Sequence, residues 1–172
     1  MLEDFEYDLA HCYGVYGCCA IQMWRGEVAP HHVPLMQTRW LQLIERRGML
    51  ATLVVVLPMA PTPSSARRSE IKQVYEVLAK HIKAVGTVIE DQGIKGTAGA
   101  MAMTTIMLMS RTPYPYKNGT HVEPVAAWLC EQVAGLKTRS LIAAVDQMRR
   151  QFMDTAGREL GEPITRLRLG SR

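Results

Sequence analysis

Residues 53–57 read Leu-Val-Val-Val-Leu and run into Pro58-Met59-Ala60-Pro61-Thr62-Pro63. The run is wholly aliphatic and its three central residues are β-branched, so it has no polar face to turn to water. It reads as a central strand covered on both sides. The prolines behind it cannot donate to a sheet ladder and therefore stop the sheet. Helices to cover such a strand lie on either side in the sequence. Upstream, Val33–Arg47 carries Met36, Trp40, Leu43, Ile44 and Arg47 at three- and four-residue steps and closes at Gly48. Downstream, Ile71, Val74, Tyr75, Leu78 and Ile82 form a second stripe, with Ser64 or Ser65 as its cap.

Outward from this centre the same alternation continues. Cys18–Trp24 and Val85–Glu90 read as further strands, and Tyr114–Lys117 as a short one whose prolines, Pro113 and Pro115, suit an edge. Tyr7–Tyr13 reads as a short edge strand before the turn at Gly14 and Gly17. The glycine loop 93–99 leads into Met101–Met109, apolar on all sides and read as a buried helix. Thr120 and Glu123 have capping-box spacing for a helix through Val133, although Pro124 is also compatible with a start nearer Glu123. Strands alternating with helices call for an α/β fold, here a mixed sheet of four or five strands.

Beyond Gly135 the pattern changes. Leu141, Val145, Met148 and Phe152 form one helical stripe, with Thr138 as cap and Gly157 as stop. Ile164-Thr165-Arg166-Leu167-Arg168-Leu169 then alternates with period two. Residues 1–136 hold 12 basic and 12 acidic side chains, whereas residues 137–172 hold 8 and 4, so the net charge of +4 sits wholly in the second part. The division expected is a domain over 1–136 and a C-terminal helix with a basic tail over 137–172. A basic tail beside a neutral domain gives no nucleic-acid-binding face. Leu141, Val145, Met148 and Phe152 would expose an apolar stripe unless the helix packs on its own domain or on another chain, and they are expected to dock a partner or a second copy of the chain. Arg166, Leu167, Arg168 and Leu169 would lie along a sheet edge or groove of such a partner.

The chemistry-bearing residues are sparse. No run of eighteen apolar residues occurs, and MLEDFEYDLA lacks the basic start and apolar core of a secretory signal, so the chain reads as cytoplasmic without a membrane span. Cys18 and Cys19 are adjacent in a strand and leave opposite faces, and Cys12 and Cys130 show no partner spacing, so the thiols read as buried and reduced. His11, His31, His32, His81 and His121 form no His-x-x-x-His pattern and read as surface residues, with no metal expected. The loop 93–99 lacks the Gly-Lys-Ser/Thr of a P-loop and the spacing of a dinucleotide fingerprint, so no cofactor is expected. Met101, Met103, Met107 and Met109 could line an apolar pocket, which gives the alternative of a small-molecule or lipid carrier.

Three segments together resemble the STAS domain of anti-sigma-factor antagonists and sulphate-transporter tails. Trp24-Arg25-Gly26-Glu27 is similar to the family's corner before its first helix. Leu53–Leu57 with the serine-bearing loop resembles the strand leading to the family's phosphorylatable serine. Asn118-Gly119-Thr120-His121-Val122-Glu123-Pro124-Val125-Ala126-Ala127-Trp128-Leu129 resembles the closing segment. The likeness covers residues 7–134. The family's Asp-Ser-Ser-Gly is replaced here by Thr62-Pro63-Ser64-Ser65-Ala66-Arg67. The resemblance implies a non-enzymatic regulatory or adaptor module that binds a protein partner, with Ser64 or Ser65 as the phosphorylation candidates. Ser64, Ser65, Arg67, Arg68 and Lys72 would be its polar contact rim.

Overall fold

In the computed structural model, which describes residues 1–58, 60–90 and 113–156, the chain opens as an antiparallel meander. Strands β1 (Glu3–Tyr7), β2 (His11–Tyr16) and β3 (Cys19–Trp24) pair in that order. The expected edge strand over Tyr7–Tyr13 is thus two strands and the turn between them. Asp8 makes the turn: its Oδ1 accepts the N–H groups of Ala10 at 2.7 Å and His11 at 2.8 Å.

Helix α1 (His32–Arg47) follows β3, and Gly48 closes it with φ of 74°, its N–H donating to Ile44 at 2.7 Å. Strand β4 (Leu50–Val56), helix α2 (Ser65–Leu78) and strand β5 (Ile82–Ile89) continue the chain. Strand β6 (Tyr116–Gly119) comes next, then helix α3 (Val122–Gln132) and helix α4 (Thr138–Ala156). Strands β3, β4, β5 and β6 are parallel, and the described sheet has six strands in sequential order. The α/β class with a mixed sheet is as expected, with β4 central and Leu53 and Val55 fully buried. The strand number is higher than expected because β1 and β2 are separate.

β1 escapes a hydrophobicity reading because it is acidic. Its charges are matched from α1: Arg47 with Glu3 at 3.1 Å, Arg46 with Asp4 at 2.5 Å, and Arg39 with Glu6 at 2.5 Å. Leu2 and Phe5 meanwhile bury their side chains in the core.

The sheet separates two apolar layers. On one face α1 and α2 cover Tyr13, Ala20, Trp24, Val54, Val85 and Ile89. On the other, α3 and α4 cover Cys12, Ile21, Met23, Leu53, Val55 and Val88. α3 starts at Val122 with His121 as its unassisted cap, so the Thr120–Glu123 capping box does not form. Pro124 falls in the first turn, where a backbone donor is not needed.

α4 corrects the expected division of the chain. Leu141, Val145, Met148 and Phe152 are fully buried in the same apolar layer as α3 and the sheet. The stripe is therefore covered from within and offers no surface to a partner or a second copy. Gly14 on β2 makes this possible, since a Cβ there would stand 2.8 Å from the Met148 sulfur. The helix belongs to the domain, not to a separate unit beyond residue 136. Arg166, Leu167, Arg168 and Leu169, and the segments Gly93–Gly99 and Met101–Met109, lie outside the described residues. No described helix is long and apolar enough to cross a membrane.

Candidate functional site

β4 delivers the serine loop to the carboxyl edge of the parallel strands, where ligands of α/β folds commonly sit. Leu57 still donates to the Trp24 carbonyl at 2.7 Å, and then the prolines carry the chain off the sheet. Ser64 is the N-cap of α2: its Oγ accepts the Arg67 N–H at 3.3 Å, satisfying one of the orphan donors of the first turn. Ser65 is the first helical residue, and both serines are exposed.

The structure places Ser64, Ser65, Arg67 and Arg68 together at this helix start, but the arginines already have partners. Arg67 pairs with Glu70, and Arg68 Nη1 donates to the Pro63 carbonyl at 2.7 Å. Lys72, further along the helix, pairs with Glu76 at 3.5 Å. The cations thus brace their own loop and helix.

Under the loop lies a pocket of about 60 Å³. Trp24, Val54 and Ile89 contribute from the sheet, Ile71 and Tyr75 from α2, and residues 60–63 form one wall. Burial pushes the Tyr75 phenol up to about 12, so it stays neutral. The pocket was not legible as such, because its lining comes from three strands, two helices and two loops. Met36 is the methionine among its described lining residues; the methionine-lined pocket expected from Met101–Met109 falls outside the described residues.

Beside the pocket is a histidine cluster that spacing did not show. His11 stacks on Trp24 with ring centroids 3.9 Å apart, and His32 meets the same indole edge-on at 5.1 Å. His11 and His32 are buried, contrary to the expectation of surface histidines, while His31 is exposed. His32 Nδ1 accepts the Ala29 N–H at 2.9 Å, so its proton sits on Nε2, which donates to Asp8 Oδ2 at 2.7 Å. Both ring nitrogens are committed. His32 therefore clamps the loop before α1 to the β1–β2 turn and has no nitrogen left for general acid–base work.

The electrostatics agree with a clamp. Burial acts to raise the Asp8 carboxyl, but the hydrogen bonds from His32 and from the Ala10 and His11 N–H groups outweigh it and hold the carboxyl well below the usual range. Burial pushes His11 down to about 3, with His32 acting in the same sense, so His11 is neutral at ordinary pH. Asp8, His31 and His32 offer ligand atoms within 4.8 Å of one another. A cation there would have to displace the His32 proton while Nδ1 still faces a backbone donor, which is the wrong tautomer for ligation.

The four cysteines form no disulfide. Cys12 and Cys19 are buried, and desolvation pushes both thiols up and away from nucleophilic character. Comparison of the chain with protein-family models, with curated proteins and with solved structures finds no match.

Proposed function

We propose that this chain is a divergent STAS-like module that regulates or adapts by binding a protein partner, without catalysing a reaction. Its working surface is the carboxyl edge of the sheet around Ser64 and Ser65. The observation that carries the reading is the placement of these serines: exposed, at the start of a helix, directly behind the central strand β4. An added phosphate at that helix start would meet backbone donors and the positive end of the helix dipole. Arg67 and Arg68 stand in the same turn and could exchange their present intramolecular partners for it. The order of the parallel part, strand–helix–strand–helix–strand, also suits the resemblance. A non-catalytic role is also supported by His32, whose two ring nitrogens are both spent on structure.

The test is a comparison of full-length wild type, Ser64→Ala, Ser64→Asp, Ser65→Ala and Ser65→Asp. Phosphate occupancy would be mapped by mass spectrometry, and partner binding measured with a partner captured by the wild type. The reading expects Asp and Ala variants at one serine to differ in affinity, with melting temperatures close at Ser65 and lowered at Ser64 only in the Ala variant, which loses the cap. Equal binding by all five forms would reduce Ser64 to a helix cap and remove the switch.

A further inference from the structure

We propose that the pocket beneath residues 60–63 binds an uncharged apolar ligand, either the end of a hydrocarbon chain or a small ring. The position is the first ground. The pocket lies at the carboxyl ends of β3, β4 and β5, between the sheet and α2, where a ligand can reach side chains of several strands at once. Its volume of about 60 Å³ is several times the roughly 10–15 Å³ that one water requires.

The lining sets the chemistry. None of the described lining residues is charged, and its carbon wall comes from Trp24, Val28, Val54, Val56, Ile71 and Ile89. Gln22 and Tyr75, the polar residues at its floor, are almost wholly buried and give it little polar surface. Water needs two to four polar partners to be held well, so an apolar group would displace only loosely held solvent. A carboxylate or ammonium group would lose its hydration with no counter-charge to replace it, which excludes charged heads from the interior.

A second depression, between α1 and α2, is lined by Val33, Pro34, Val74 and Val77 together with Gln37, Glu70 and Gln73. Its polar rim and acidic side chain suit water, and it makes a useful control region. The proposed pocket has the further property that residues 60–63, one of its walls, lead directly to the Ser64 cap. Occupancy would therefore bear on the same loop that carries the serines.

The experiment titrates the full chain with toluene, 1-hexanol and hexanoate and follows methyl resonances by carbon–proton NMR. The expected result is saturable shifts for toluene and hexanol at Val54, Val56, Ile71 and Ile89, with hexanoate weaker by at least about tenfold because its charge cannot follow the chain inward. Ala60→Trp, which fills the mouth from a loop position, should weaken both neutral probes by at least about tenfold, and Val56→Phe should do the same from the sheet side. Three results would overturn the proposal: no saturable shift at those methyls up to probe solubility, shifts gathered instead at Val33, Val74 and Val77, or hexanoate binding as tightly as hexanol. The titration involves neither serine, so its failure leaves the serine-loop reading standing, and the failure of that reading leaves the pocket standing.

Discussion

Cutting the chain after Leu136 should abolish cooperative folding, because α4 shares with α3 the covering of one face of the sheet. The magnitude follows from the four side chains that would be lost. Leu141, Val145, Met148 and Phe152 are fully buried, and truncating a buried Leu or Met to Ala costs about 2–5 kcal/mol and a Phe about 3–5. The low ends for Leu141, Met148 and Phe152 alone reach roughly 7 kcal/mol, against a typical domain stability of about 5–15. Removing the helix also strips cover from β2 and α3, against which it packs, and frees Glu90, which Arg149 holds in a two-pronged pair at 2.7 and 2.5 Å.

A single substitution gives the graded version. Phe152→Ala loses about 3–5 kcal/mol of packing, and its ring also carries the Arg25 guanidinium 3.9 Å above its centre. At about 2–4 °C per kcal/mol for a chain of this size, the melting temperature should fall by about 6–20 °C. Circular dichroism with heat and urea would read both variants. A 1–136 chain that melts cooperatively within a few degrees of the full chain would refute the assignment of α4 to the core, as would Phe152→Ala melting like wild type.

The remaining expectations concern the sheet and its acid sensitivity. Val55→Asp buries a charge at the centre of β4 and should cost on the order of 3–5 kcal/mol, seen as a large loss of urea midpoint; an unchanged midpoint would remove β4 from the interior. His11 is held down to about 3 when folded and returns to 6.5 when unfolded, so only the unfolded chain takes up its proton between those values. Stability should therefore fall as pH drops from about 6.5 to about 3, by up to about 5 kcal/mol at 1.4 per unit. His11→Gln should flatten that slope, and an unchanged slope in urea melts at pH 7, 6, 5 and 4 would show that His11 is not its source. Asp8, whose folded carboxyl lies below the usual range, contributes stability that is present above about pH 4 and lost below it. Asp8→Ala removes a charged acceptor of three hydrogen bonds and should cost at least the worth of one of them, about 1.5–3 kcal/mol, at pH 7, with melting temperature as the readout.

What the sequence made legible was whatever a segment carries in its own composition. Leu53–Leu57 has no polar side to present, so its central place follows from burial alone, and the stripes of α1 and α2 follow from spacing. β1 was hidden because Glu3, Asp4 and Glu6 look like solvent residues until Arg39, Arg46 and Arg47 arrive from α1, more than thirty residues later. The α4 stripe was visible as a stripe, but nothing local tells whether it faces another chain or its own sheet. Gly14 was the available signal: a glycine inside a strand often marks close approach of another element, and the element here is α4.

The candidate site was less legible because each of its parts depends on a distant partner. Asp8 and His32 are twenty-four positions apart, and their bond exists only because the β1–β2 turn and the entrance of α1 meet beside Trp24. Trp24 lines the pocket and also stacks on His11 and touches His32, so the clamp fixes a wall of the pocket while the prolines of the serine loop form another. One wall thus rests on buried titratable groups and the other on the segment that carries Ser64. Those two supports answer to different influences: acid acts on the first through His11 and Asp8, and phosphate would act on the second through the start of α2. A strand end read alone shows only Trp24-Arg25-Gly26-Glu27; the fold turns that short corner into the point where both supports meet.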